Sequence, residues 1–156
     1  MRDWRNIQSL SIECNSQFVV FHGDNGAGKT NVLEAVYMLS SLRSFRDAAK
    51  NHLVRHGSTA SLIEATIRSP YGRKKISWSY SSRGRELRMD NAPVSSISQW
   101  FVPIRAILFC PDHSAIVRGG PDARRRFLDR ARFTANPAYL DVYRKYHHIL
   151  GQKKSL

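Results

Sequence analysis

The chain has 156 residues, enough for one domain with a hydrophobic core, and at 42% hydrophobic it is not a disordered polymer. Two cysteines, Cys14 and Cys110, make no disulfide framework and match no zinc spacing, and no apolar run reaches membrane-spanning length. Lys and Arg outnumber Asp and Glu by 25 to 12, a net charge of +13 that points to a polyanionic partner.

The opening MRDWRNIQSL lacks the apolar core of a secretory signal. A cytoplasmic, reduced protein with no membrane partner is therefore expected. Residues 7–13 alternate loosely, with Leu10 and Ile12 inward, and read as an edge strand. Phe18-Val19-Val20-Phe21 is a continuous apolar run and reads as a buried strand.

Directly after that run, residues 23–30 spell GDNGAGKT, the pattern G-x-x-x-x-G-K-[ST] of a phosphate-binding loop. Val32, Leu33, Val36, Leu39 and Leu42 follow at helical spacing. Strand, glycine loop and helix together form the context that makes the match a site. Gly23, Gly26 and Gly28 let backbone N–H groups approach a phosphate chain and permit positive φ. A helix starting near Lys29 offers unpaired N–H groups and the positive end of its dipole. Lys29 is expected to reach the β- and γ-phosphates of a bound nucleotide, and the Thr30 hydroxyl to ligate Mg²⁺. Asp24, Asn25, Ala27 and Asn31 complete the candidate cofactor-binding set. The plainer account is a glycine-rich turn that binds nothing.

Residues 43–58 are polar and mixed, with Arg43, Arg46, Lys50 and Arg55. From Ser61 to Ser69, Leu62, Glu64, Thr66 and Arg68 alternate with Ile63, Ala65 and Ile67. Pro70-Tyr71-Gly72 and Ser82-Arg83-Gly84 are turn signals. Between them Ile76, Trp78 and Tyr80 keep the period of two, and Glu86 to Asp90 reads as another short strand. This is an antiparallel meander. Its outward positions carry Arg68, Arg73, Lys74, Lys75, Arg83, Arg85 and Arg88. A solvated strand face explains any one of them, and a groove-facing basic sheet explains the set.

Ile104 to Phe109 reads as a buried strand ended by Cys110-Pro111-Asp112. Gly119-Gly120-Pro121 sets up a helix with Pro at its first position. That helix carries an apolar stripe of Phe127, Leu128 and Ala131, and Arg125 stands at i,i+4 to Asp129. Asn136-Pro137 ends it. A last helix runs from about Ala138, with Leu140, Tyr143, Ile149 and Leu150 apolar and a basic tail, Lys153-Lys154. The six histidines stand in no metal-ligand pattern and read as structural or surface residues.

Extended, the loop reads GDNGAGKTNVLEAVYMLS and resembles the RecF family, the SMC-like branch of the ABC ATPases in bacterial recombinational repair. WRNIQSL is similar to the family's FRN-x-x-x-L opening, and LRSFR to its GRSFR block. ILFCPDHSAIVRGGPDARRRFLD resembles a later segment ending GSP-x-x-RRRFLD, and AYLDVYRKYHHILGQKKSL the stretch ending in L-x-QRN-x-LL. The resemblance spans essentially the whole chain. Leu42 stands where the family has Gly, Gly120 where it has a capping Ser, and Cys110-Pro111-Asp112-His113 where it has Ser-Pro-Glu-Asp in the place of the ABC Q-loop.

The resemblance implies an α/β fold: lobe one of an ABC-type ATPase, a mixed sheet carrying the phosphate loop with a flanking antiparallel meander and helices. The mostly helical lobe two is largely absent, as are the LSxGQ signature and the strand ending Asp-Glu. Residues 1–156 are thus expected to be an incomplete N-terminal lobe, holding ATP without turnover and carrying no catalytic residue of its own. By position, Arg5 and Asn6 would lie near the nucleotide. Arg43, Arg46 and the meander residues Arg73, Lys74, Lys75, Arg83 and Arg85 are DNA-binding candidates. The family implies an ATP-dependent homodimer clamping double-stranded DNA at gap junctions, with RecO and RecR as partners in repair, replication-fork maintenance and the SOS response. Two other readings stay open: a non-hydrolysing basic DNA-binding module with a vestigial loop, and a P-loop kinase of small molecules.

Overall fold

The structure is a computed structural model. It describes residues 1–46, 50–69, 72–101, 103–110, 120–136 and 138–153. The chain divides into two compact units, Met1–Ser95 and Ser96–Leu156.

The first unit is a six-stranded sheet and a helix. In chain order its elements are β1 (Arg2–Trp4), β2 (Ile7–Ser9), α1 (Lys29–Ser41), a 3₁₀ turn (Lys50–Leu53), β3 (Ala60–Ser69), β4 (Gly72–Ser81), β5 (Gly84–Met89) and β6 (Ala92–Pro93). The spatial order is β2-β1-β3-β4-β5-β6, and each neighbouring pair is antiparallel. The expected meander is β3-β4-β5, in one register with Ile63 opposite Trp78 and Trp78 opposite Leu87. The edge strand expected over residues 7–13 is β2, shortened to Ile7–Ser9.

Period-two alternation sets the faces. Ile63, Ile76 and Trp78 are buried on one face, with Trp4, Val32, Ala35, Met38, Leu39 and Leu53 completing the core. Trp4 and Trp78 meet edge to face, their ring centroids 5.7 Å apart. The Trp4 indole N–H donates to the Asn31 carbonyl at 2.8 Å, tying β1 to the first turn of α1. These contacts are what places the glycine loop beside the N-terminal turn.

Three expectations change here. Residues 10–22 are irregular, and Phe18, Val19 and Val20 are 85%, 45% and 81% exposed, so the strand over 18–21 is not formed. A buried strand needs neighbours that satisfy its N–H and C=O groups, and none of the six described strands pairs with this run. Ile104–Phe109 is irregular for the same reason, with Ile107 and Phe109 almost fully exposed. On α1 the buried stripe is Val32, Glu34, Ala35, Met38 and Leu39, whereas Leu33 and Val36 are about half exposed. The helix is rotated because Glu34 has cationic partners on the core side.

The second unit contains α2 (Ile97–Trp100), α3 (Pro121–Ala135) and α4 (Tyr139–Lys153). Pro121 opens α3, and Gly120 before it makes no side-chain cap. Asn136 ends α3 and α4 begins at Tyr139, as expected. Arg125 pairs with Asp122 at 2.5 Å rather than with Asp129, whose carboxylate instead accepts from the Tyr139 hydroxyl at 2.9 Å. That bond raises the Tyr139 pKa and links the two helices, which is why Asp129 is not left for Arg125. Phe127 and Leu128 of the expected stripe are exposed. Pro111-Asp112-His113, Gly119, Pro70-Tyr71, Pro137 and Lys154 lie outside the described residues.

Candidate phosphate-binding site

The loop ends where the sequence places it. Gly28 is the N-cap of α1 at φ 99°, ψ 6°, and Gly23 and Gly26 sit at φ 131° and 85°. These are left-handed conformations that L side chains rarely take, so the glycines are required by the path of the chain. Gly28 is also packed: a Cβ there would stand 3.0 Å from Asn6 Oδ1 and 3.4 Å from Ile7 Cγ1.

Val32 N–H donates to Gly28 O at 3.0 Å, the first turn of the helix ladder. The amides of Lys29, Thr30 and Asn31 precede that bond, so they are the orphan donors of a helix N-terminus, aligned with the positive end of its dipole. Lys29 curls back over the loop, its Nζ donating to Gly23 O at 2.6 Å and Asp24 O at 2.7 Å. The ammonium thus stays at the mouth of the loop rather than trailing into solvent. Thr30 is exposed in the first turn, and residues 23–27 are all exposed. A cradle of N–H groups, one ammonium and one hydroxyl is a donor set for a phosphate chain and its divalent cation.

Asn6 is brought against this loop: its Nδ2 donates to Gly26 O at 2.7 Å, and its Oδ1 accepts from Asn31 Nδ2 at 2.7 Å. Arg5 is not at the mouth. Its guanidinium forks onto Glu34, Nε to Oε2 at 3.0 Å and Nη2 to Oε1 at 2.5 Å, and reaches His52 O at 3.1 Å. The Arg5 side chain is 14% exposed and that of Glu34 is fully buried. Arg46, read as a DNA candidate, donates to Asn31 Oδ1 at 2.7 Å and lies 3.7 Å from Glu34 Oε2. Ser44 donates its hydroxyl to Glu34 as well. Arg43 is exposed.

Glu34 and Ser44 were not among the sequence candidates. The signal was present: Glu34 is the sole acidic residue of α1, set among Leu33, Ala35 and Val36. A lone carboxylate in an apolar stretch of a strongly basic chain marks a buried ion pair. Leu42, at the family's Gly position, has φ 55° and returns its N–H to Met38 O at 2.8 Å. The helix therefore ends in a left-handed cap where Gly would be less strained.

The meander cations divide. Register and alternation put Arg68, Arg73, Lys75 and Arg88 on one face and Lys74 and Arg85 on the face that bears Ile76 and Trp78, with Arg83 in the turn. Lys75 pairs with Glu64 at 3.2 Å, Arg88 with Glu86 at 2.7 Å and Lys74 with Asp90 at 2.9 Å. Among the described residues, Arg68, Arg73, Arg83 and Arg85 form no ion pair, and Arg68 stands directly opposite Arg73.

No protein-family model matches the chain. Among curated proteins it is 38% identical over 153 residues to the DNA replication and repair protein RecF of Geobacter sulfurreducens, covering 98% of this chain and 42% of that protein. It is 37% identical over 155 residues to the RecF of an Anaeromyxobacter strain, covering 99% of this chain and 42% of that protein. Among solved structures it superposes on the recombination mediator protein RecF with ATP, from the RecFOR pathway, with a TM-score of 0.89 and 26% identity over 98% of this chain and 42% of that one. The corresponding structure with an ATP analogue gives a TM-score of 0.90 at 26% identity, covering 99% of this chain and 42% of that one. The chain thus spans less than half the length of the relatives it matches. Among the described residues, no helix is long and apolar enough to cross a membrane.

Proposed function

We propose that this chain, which belongs to the RecF family, is an incomplete N-terminal ATPase lobe (residues 1–156) that binds ATP with Mg²⁺ at residues 23–31 and contributes to DNA repair and replication. The observation that carries this reading is the geometry of the loop: left-handed Gly23, Gly26 and Gly28 running into α1 with Lys29 folded over them. The orphan amides of the helix start and Lys29 hold the phosphates. Thr30 and the phosphate oxygens hold the cation, which when bound neutralises phosphate charge. Asn6 supports the loop from behind.

In this proposal the chain itself turns ATP over negligibly. Residues 1–156 contain neither LSxGQ nor a hydrophobic strand ending in Asp-Glu, the segments by which the family completes the transition-state site and orients water. The family's dimeric clamp on duplex DNA and gap junctions, with RecO and RecR assisting recombinase loading, is proposed for the whole protein. On this lobe the DNA candidates are Arg68 and Arg73 on one face of the meander, with Arg83 in the turn and Arg43; Arg85 stands on the other face.

The test is titration of the purified chain with a fluorescent ATP analogue with and without Mg²⁺, beside Lys29→Ala. Saturable, Mg²⁺-dependent binding lost in Lys29→Ala supports the reading. Absence of binding together with tight, salt-sensitive DNA binding would replace it with the basic module bearing a vestigial loop.

A further inference from the structure

We propose that Glu34 is a positioning residue of the nucleotide site, acting through a relay that begins with the Glu34–Arg46 ion pair and continues by hydrogen bonds through Asn31 and Asn6 to Gly26. The inference rests on the reading that residues 23–31 bind nucleotide.

Each link is a contact within the first unit. Arg46 Nη1 lies 3.7 Å from Glu34 Oε2 and donates to Asn31 Oδ1 at 2.7 Å. Asn31 Nδ2 donates to Asn6 Oδ1 at 2.7 Å, and Asn6 Nδ2 donates to Gly26 O at 2.7 Å. The polarity is consistent from end to end. A guanidinium can only donate, so Arg46 fixes Asn31 with its oxygen toward Arg46 and its NH₂ toward Asn6. That in turn fixes Asn6 with its NH₂ toward the loop. Gly26 O can only accept, so both ends of the relay demand the same orientation; without Arg46 that orientation is held from the loop end alone and Asn31 Oδ1 loses its donor.

Glu34 supplies the anchor. It is fully buried and also grips Arg5, the residue next to Asn6, with two hydrogen bonds. One carboxylate therefore sets both the backbone that carries Asn6 and the cation that orients its amide. Since Gly26 lies between the left-handed turns of the loop, the direction of its carbonyl sets where the following amides point. Chains of this kind polarise cooperatively, so the effect of breaking one link reaches the end.

The experiment measures affinity of the full chain for a fluorescent ATP analogue with Mg²⁺, melting midpoint, and amide hydrogen exchange over residues 26–28. Arg46→Gln and Asn31→Ala are expected to weaken binding about 3- to 10-fold, the worth of one directed hydrogen bond. The double variant Arg46→Gln/Asn31→Ala is expected to be no weaker than the poorer single, because both break one relay. Faster exchange at 26–28 should accompany the loss, with only a small fall in melting midpoint for Arg46→Gln, because Glu34 keeps Arg5 and Ser44 and the Arg46 side chain is 37% exposed. Glu34→Gln should reproduce the weakening if it folds, and the other two variants decide the matter if it does not. Unchanged affinity in Arg46→Gln, or fully additive losses in the double variant, overturns the relay. If the wild-type chain binds no nucleotide, the proposed function has failed. Exchange at 26–28 then decides alone: acceleration in Arg46→Gln upholds the relay and wild-type rates reject it.

Discussion

Gly28 and Asn6 are in contact through the space where a Cβ would be: a side chain on Gly28 would begin 3.0 Å from Asn6 Oδ1. The same Asn6 donates to Gly26 O at 2.7 Å, so the N-terminal turn closes on the phosphate loop by a hydrogen bond and leaves little room for a side chain at Gly28. Gly28→Ala meets both this contact and the penalty of φ 99°. Destabilisation of about 1–3 kcal/mol is expected, with loss of nucleotide binding. Urea unfolding gives the first and analogue titration the second. A variant as stable as wild type would show that the loop relaxes freely around the methyl group.

Glu34 and Arg5 form a bidentate pair in which the acid is fully buried and the base nearly so. Removing one member of such a pair strands the other, which typically costs about 3–5 kcal/mol. Glu34→Ala removes the carboxylate shared by Arg5 and Arg46, while Arg5→Ala leaves Glu34 with Arg46 and Ser44. Glu34→Ala is therefore expected to be the more damaging, by thermal or chemical denaturation. Equal effects would show that Arg46 does not share the carboxylate.

How legible the site was in the sequence depended on how local its determinants are. The loop and the start of α1 are set by glycines and a fixed spacing inside eight residues. The meander is set by alternation: Ile76 and Trp78 were readable as inward because each is flanked by polar neighbours, and Ile63 because it shares the period of Ala65 and Ile67 against Glu64, Thr66 and Arg68. β1 was not readable, since three residues carry no period and Arg2–Trp4 is held by pairing with Leu62 across the chain. The runs at 18–21 and 104–109 have strand composition, but composition does not supply the neighbouring backbone that a strand requires. Glu34 was hidden because period counting scores a charged residue as outward, whereas its partners come from residues 5, 44 and 46.

Arg68 and Arg73 face each other across β3 and β4 without an acid beside them among the described residues. Like charges directly opposite each other destabilise a sheet, and opposite charges stabilise it by about 0.2–1 kcal/mol. Arg73→Glu should accordingly raise stability by a few tenths of a kcal/mol. It should also lower DNA affinity and flatten its dependence on salt, because a phosphate contact is removed. Opposite signs in the two measurements are the signature. A gain in stability with unchanged DNA binding and salt slope would remove this face from the DNA surface.

Asp90 closes the β5–β6 turn onto β4. Its carboxylate accepts from the Lys75 amide at 2.9 Å and from Lys74 Nζ at 2.9 Å. The backbone bond from Lys75 is the larger cause, and the bond from Lys74 the next, of a pKa held below the ordinary value of 3.8. A carboxyl with a lowered folded pKa contributes stability that is complete above its unfolded pKa and is lost as the pH falls through the folded one. The window for Asp90 therefore lies below the ordinary value of 3.8. Asp90→Asn cannot be protonated and keeps an oxygen to accept from the Lys75 amide. It should lower stability at neutral pH slightly and lose less than wild type on acidification through that window. Denaturation midpoints of the two proteins, followed from neutral pH down to about pH 2, should converge. Parallel curves would mean that the Lys74 and Lys75 contacts do not distinguish the charged from the neutral carboxyl.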